Sequence, residues 1–373
     1  MPFRFHVLGL AHTVSTPEYS NCAFTQKVVK LCKMLKAEGH EVIHYGHMNS
    51  KVDCDESVSV TNDFDLERSY PGHDWHKDGW PAFKQTDQCY LSFYKNTIEA
   101  IAVRKQPGDF LLCTFGDWHK SIAMAHPDLI TVESGIGYPN GTFAKFKVYE
   151  SYAIMHGYQG NKAAVSASND FWYDAVIPNA FNLDEFTYSP HKHDYFLLLG
   201  RATPAKGLHI AKQIAEATKT RLIVAGKPDA WEPDTEFVEF AGVVGPDKRR
   251  ELLRHARATI CASTFLEPFC GTQIESMISG TPVISSDWGA FTEYNKHGVT
   301  GYRCKTFEQF EWAARNINLI QSEDCRDWGQ KFSLENIAPL YTDYFQSVKD
   351  IYGGKGWYEP RDDRTSMKAT DFQ

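Results

Sequence analysis

The chain has 373 residues, 42% of them hydrophobic, and a formal net charge of −8. That apolar content excludes a disordered chain and is enough for two ordinary domains, while the acidic balance argues against a broadly basic nucleic-acid-binding surface. Its nine cysteines form no Cys-x-x-Cys pair and read as reduced thiols of a cytosolic protein, and no apolar run approaches the ~18 residues of a membrane span.

In chain order, Phe3 to Leu10 reads as a first parallel strand, too short an apolar run for a secretory leader. Phe24, Val28, Leu31, Cys32 and Leu35 recur at helical spacing up to Gly39, and Val42 to Tyr45 reads as the next strand. The connecting loop carries Ser20 and Asn21 but no Gly-x-Gly-x-x-Gly. It reads either as a ligand loop or as a plain turn capped by Asn21. Residues 49 to 108 are the least legible. Asp53-Cys54-Asp55 mimics a metal triplet that also arises by chance in acidic loops. The stretch from Tyr70 to Trp80 is rich in aromatics and histidines. There Trp75 and Trp80 either pack at the surface or offer stacking faces to an acceptor.

Cys89 to Ala102 has helical spacing. Asp109 to Phe115 reads as a strand leading to Trp118 and His119, and Leu129 to Val132 as a strand ending at Glu133 and the loop to Tyr138. A helix is expected from Phe146 to His156. Residues 182 to 194 read as a linker. Beyond it, strands and helices alternate: Tyr195–Leu199, Leu208–Ala217, Leu222–Ala225, Phe237–Phe240, Lys248–Arg257, Thr259–Ala262, Ile274–Ser279 and Pro282–Ser285. This is the signature of a doubly wound α/β unit. An apolar stripe from Ile337 to Ile351 predicts a last helix starting near Asn336, with Pro339 in its first turn.

Two stretches carry the candidate chemistry. Gly200-Arg201-Ala202-Thr203-Pro204-Ala205-Lys206-Gly207 follows a strand, so two cations stand at the strand's carboxyl end, where α/β sheets bind ligands. In Leu266-Glu267-Pro268-Phe269-Cys270-Gly271-Thr272-Gln273-Ile274-Glu275, Pro268 holds Glu267 in an extended loop. Thr272 and Glu275 have capping-box spacing, which predicts a helix start there. Its free N–H groups suit an anionic, hydroxyl-rich ligand, although Glu275 also reads as a capping residue alone.

Val176-Ile177-Pro178-Asn179, Gly200-Arg201…Lys206-Gly207, Val224-Ala225-Gly226 and Glu267-x7-Glu275 followed by Gly280-Thr281-Pro282-Val283-Ile284 have a shared order over residues 176 to 303. Together they resemble the retaining GT-B glycosyltransferases of the large sucrose-synthase and mannosyltransferase-like family (glycosyl transferases group 1). Cys22-Ala23-Phe24-Thr25, the Glu133–Tyr138 loop and Tyr149-Glu150-Ser151-Tyr152-Ala153 resemble its bacterial and phage-like branch. The resemblance implies two Rossmann-like doubly wound α/β domains facing a cleft. It divides the chain into an acceptor-side domain (1–185), a nucleotide-sugar domain (186–335), a crossover helix packing back on the first domain (336–353) and a polar tail (354–373).

It also implies roles. Arg201 and Lys206 would neutralise a diphosphate, Glu267 would hold sugar hydroxyls and Glu275 the ribose. Gly200, Gly226, Val243, Phe269, Cys270, Gly271 and Thr272 would line the donor, with Ser20 and Asn21 from the first domain. Glu133 stands where many relatives carry a histidine near the donor, and His119 and His156 are the other candidates. Trp75, Trp80, Trp118 and Tyr138 are the acceptor-side candidates. The implied reaction is metal-independent hexosyl transfer with retention, from UDP-glucose in preference to a GDP- or ADP-sugar. The acceptor stays open among a glycan, a small molecule and a hydroxymethylated base in phage DNA, and a nucleotide-sugar 2-epimerase is an alternative reaction. Placement in a bacterial or phage-infected cytoplasm is expected.

Overall fold

In this computed structural model, residues 2–19, 22–78, 81–138, 141–163, 173–227 and 235–352 are described. The chain divides into two units. The first comprises residues up to Glu150, Gln159–Pro178 and the stretch beginning at Leu334, and the second comprises Ser151–Tyr158 and Asn179–Ser333. Ser20, Asn21, Trp80 and the polar tail lie outside the described residues.

Unit 1 is built on a seven-stranded sheet of β1 (Arg4–Leu8), β2 (Glu41–His47), β3 (Glu56–Thr61), β4 (Phe110–Cys113), β5 (Ile130–Ile136), β6 (Phe146–Tyr149) and β7 (Ala175–Val176), in the order 3-2-1-4-5-6-7. Unit 2 holds β8 (Tyr195–Leu199), β9 (Arg221–Ala225), β10 (Val238–Gly242), β11 (Ala258–Cys261), β12 (Val283–Ser286) and β13 (Gly301–Cys304), ordered 10-9-8-11-12-13. All pairings between these strands are parallel. Parallel strands covered by helices on both faces read as unbroken apolar runs, and Phe110-Leu111-Leu112-Cys113 and Tyr195-Phe196-Leu197-Leu198 are such runs. In each sheet the strand order reverses beside the first strand of its unit, so the crevices at the carboxyl ends of β1/β4 and β8/β11 are where ligands dock in such sheets.

Two expectations are corrected, and a stretch left unread takes shape. Phe146 to Tyr149 is a strand, not the start of a helix: all four residues are buried, and the helix runs over Tyr152–Ala163. The illegible region holds a strand, β3, and a helix, Asp63–Ser69, whose start is fixed by a capping box between Asn62 and Asp65. The last helix begins at Leu334, so Pro339 lies inside it rather than in its first turn. That helix belongs to unit 1. Phe345 is fully buried with its ring 4.7 Å from Phe5 and 5.3 Å from Phe110, and the Tyr344 hydroxyl lies 3.2 Å from each of the carbonyls of Lys147 and Tyr173, within reach to donate to either. Among the described residues no helix is long and apolar enough to cross a membrane.

Candidate functional site

The switch point of the second sheet gathers most of the predicted donor residues. β8 ends at Leu199 and β9 at Ala225, and each is followed by a glycine. Gly226 has φ +152°, and a side chain there would put its Cβ 1.8 Å from the Gly200 carbonyl oxygen. Gly226 therefore acts by close backbone approach, whereas Gly200, with φ +130° and open space around it, acts by its backbone conformation. Thr203 caps the short turn Pro204–Lys206 through its hydroxyl, which accepts from the Lys206 N–H at 3.2 Å. Gly207 follows with φ +78°, and a Cβ there would also meet the Ala262 carbonyl. The turn aims Lys206 at the loop after β11.

There the Lys206 ammonium pairs with Glu267 Oε1 and lies 4.9 Å from the centre of the Phe265 ring. Ser263 Oγ donates to the same carboxylate oxygen at 2.6 Å. Burial works to lower the Lys206 pKa, but the Glu267 charge and hydrogen bond outweigh it and the value is raised. Lys206 is thus held as a cation, and the Glu267 carboxylate is almost fully enclosed. Arg201, by contrast, is exposed and forms no ion pair among the described residues.

The helix after this loop spans Gly271–Ile278. The capping-box expectation is corrected: the N-cap is Cys270, in left-handed conformation (φ 64°), and no side chain caps the helix. The Thr272 hydroxyl lies inside the first turn and reaches the Leu199 carbonyl at 3.4 Å, so it is not available as a cap. The helix start thus keeps orphan N–H donors, as an anion site requires. Interaction with the neighbouring Cys270 thiol, then burial, pushes Cys261 well above the ordinary thiol range. Phe269 turns its ring into the core against Tyr294, 4.7 Å away, so only its backbone faces the loop. Val243 is partly exposed beyond β10.

Glu275 is buried. Its Oε1 pairs with Arg249, and its Oε2 has no hydrogen-bond partner among the described residues. Arg249 and Ser263 were both missed in the sequence. Arg249 sits in the charge run Asp247-Lys248-Arg249-Arg250-Glu251, yet it precedes the buried Leu252 and Leu253 by three and four positions on one helix. That spacing puts a cation on the helix's inward face and was the available signal.

In unit 1 the structure separates the predicted residues. His119 is buried, stacks on Phe93 at 5.9 Å, and accepts from the Thr114 N–H; burial lowers its pKa to about 3. Glu133 is fully buried and accepts from the Tyr138 hydroxyl (3.1 Å) and the N–H groups of Phe143 and Ala144 (both 2.9 Å). Burial pushes its pKa up to about 6 against the pull of those bonds. In this arrangement His119, Glu133 and Tyr138 anchor loops rather than face solvent. Trp118 packs on Phe83 and Tyr90. Trp75 differs: it stacks on Tyr19 at 4.5 Å and lines a cavity of about 610 Å³. Asp55 of the mimicked metal triplet is engaged by Lys36 and the Val42 N–H.

Residues 182–332 match the family described as glycosyl transferases group 1. An uncharacterized glycosyltransferase of Methanocaldococcus jannaschii is 26% identical over 179 residues, covering 42% of this chain and 46% of that protein. The chain spans about half the length of the curated relatives it matches. Among solved structures, an Anabaena protein in complex with UDP and glucose superposes with a TM-score of 0.66 at 15% identity, covering 92% of this chain and all of that one. The Arabidopsis thaliana starch synthase IV catalytic domain, bound to ADP and acarbose, gives 0.69 at 12% identity over 94% of this chain and 99% of its own. These likenesses show the GT-B fold.

Proposed function

We propose that this chain is a glycosyltransferase that moves a hexosyl group from a nucleoside-diphosphate sugar to a hydroxyl acceptor, with retention of anomeric configuration and without a metal. The observation that carries this reading is the convergence, at one switch point, of Arg201 and Lys206 from the loop after β8 with Glu267 and the open helix start at Gly271 from the loop after β11. The match of residues 182–332 to group 1 glycosyl transferases covers the same segment.

In this scheme the unpaired Arg201 forks onto the diphosphate and Lys206 supplies a second, fixed charge. As the bond between the sugar C1 and the phosphate oxygen breaks, negative charge grows on the leaving diphosphate. Each well-placed donor then lowers the barrier by roughly 3–4 kcal/mol. The acceptor oxygen bonds to C1 on the face the phosphate leaves, and its proton passes to the departing phosphate oxygen. Glu267, held by Lys206 and Ser263, accepts from sugar hydroxyls. Glu275 offers its unpartnered Oε2 to the ribose while Arg249 holds Oε1. UDP-glucose is the favoured donor, in keeping with the Anabaena structure that holds UDP and glucose.

Lys206→Ala and Glu275→Ala test the reading. Each should cut transfer from UDP-glucose by about 10²–10³-fold with an unchanged circular dichroism spectrum. The product anomer, read by NMR, should match the donor's. Near-normal transfer by both variants sinks the assignment.

A further inference from the structure

Residues 188–193 fall in the stretch that reads as a linker, yet in unit 2 they are tied to the ends of two helices. One helix is Pro246–His255, which carries Arg249, and the other is Gly271–Ile278, which carries Glu275. Gly280, just past the second helix, has φ +76°, and a side chain there would strike the Tyr188 ring. The Ser189 N–H donates to the Ser279 carbonyl at 3.3 Å, and the His193 N–H to the His255 carbonyl at 2.7 Å. Between these ties Lys192 turns inward. Its ammonium donates to the Thr281 hydroxyl at 2.7 Å, the Arg254 carbonyl at 2.9 Å and the Ser279 carbonyl at 3.4 Å. The Thr281 hydroxyl in turn donates to the Leu253 carbonyl at 2.6 Å. One cation thus joins the carboxyl ends of both helices, where terminal carbonyls lack partners and the helix dipoles favour positive charge.

We propose that Lys192 is a positioning residue for the donor: by pinning the two helices at their carboxyl ends it fixes the Arg249–Glu275 pair, and so the carboxylate offered to the ribose. The proposal rests on the transferase reading above, in which Glu275 takes the ribose. The helix that carries Glu275 has eight residues, a rod about 12 Å long, so a pin at one end sets where Glu275 and the open N-terminus stand. The pin depends on charge, because an ammonium makes stronger hydrogen bonds than a neutral amine. Burial lowers the Lys192 pKa to about 8, against the pull of Cys325 and Glu323. The ammonium therefore holds at pH 7 and is mostly lost by pH 9. Around it, the Tyr188 hydroxyl keeps Glu323 ionised and burial takes Cys325 up to about 12, so neither changes charge in that window. Arg254 and His255 pair with Glu251, Asp194 pairs with Arg257, and His191 and His193 flank Lys192 in the chain.

The test reads the ribose directly, as the ratio of affinities for UDP and 2′-deoxy-UDP, measured by calorimetry on the full chain. At pH 7 the wild type should favour UDP by about tenfold or more, as for a hydroxyl bonded to a charged group. By pH 9 that preference should fall to about a third as the charge-assisted bonds are lost. In Lys192→Arg, whose guanidinium does not titrate, the preference should stay level from pH 7 to pH 9, with the surrounding histidines unchanged. Lys192→Met should show at pH 7 the reduced preference of the wild type at pH 9. A structural role alone would lower the melting temperature without moving the ratio. A pH-independent ratio in the wild type, an equal fall in Lys192→Arg, or a wild-type ratio in Lys192→Met overturns the proposal. Glu275→Gln is measured alongside. If it keeps the full preference for UDP, the ribose assignment of the transferase reading fails. If it loses that preference while the Lys192 variants do not, only the role of Lys192 fails.

Discussion

A carboxylate that water does not reach records its surroundings in its titration, and Glu133 is such a group. Its folded pKa of about 6 stands above the ordinary 4.5 because burial outweighs the three hydrogen bonds it accepts. A raised acid contributes stability in full below pH 4.5 and loses it as pH rises through 6. The loss is about 2 kcal/mol between those limits. Glu133→Gln, which does not titrate, should therefore gain about that much on the wild type between pH 4 and pH 7 in urea unfolding. A constant difference across that range would show that the side chain does not titrate in this window. Legibility at this scale followed chemistry that is local in sequence. The strand and turn that carry Arg201 and Lys206 were legible because an apolar run and two glycines bound them. Arg249 and Ser263 were not, because their partners Glu275 and Glu267 are brought to them by packing. The inward placement of His119 and Glu133 was illegible for the same reason: a strand-end loop looks alike in sequence whether it folds inward or outward.

Among the elements, the second sheet was read nearly strand for strand, since its buried parallel strands are apolar runs bounded by glycine and proline. The first sheet hid β3, whose Glu56-Ser57-Val58-Ser59-Val60-Thr61 is mostly polar because it is an edge strand with solvent at its side. Phe146–Tyr149 was taken for helix because four residues are too few to separate period 2 from period 3.6. The expected capping box at Thr272 failed because a matching spacing does not fix where a helix starts when a left-handed residue precedes it. The turn at Gly226 gives the sharpest prediction for an element. In Gly226→Ala the new Cβ meets backbone at Gly200, which has no side chain to swing aside, and φ +152° is itself unfavourable. The variant should lose more than about 2 kcal/mol, seen as a lower urea midpoint, together with UDP binding. An unchanged midpoint would mean the loop relaxes freely.

At the scale of the molecule, the two α/β units and the return of the last helix to the first unit agree with the resemblance drawn from scattered motifs. The donor base was not legible, since nothing in the sequence around Val243 specifies a purine or a pyrimidine edge. A thermal-shift panel of UDP, GDP, ADP and dTDP with their common sugars addresses it. UDP and UDP-glucose at about 100 times their dissociation constant should stabilise the protein by roughly 2.7 kcal/mol, and the others should do so less. A clear response to GDP or ADP instead would reassign the donor, and silence across the panel would weaken the transferase reading.

The seating of Phe345 on Phe5 and Phe110 also bears on how the chain is made. The strands of unit 1 precede the second sheet in the chain, yet the helix that covers them comes after it. A growing chain on the ribosome therefore presents the first sheet with an uncovered aromatic face for as long as the intervening residues take to emerge, at about 5–20 residues per second. The sheet that is made first is thus covered last, and the contact that covers it closes a loop that contains the whole second sheet.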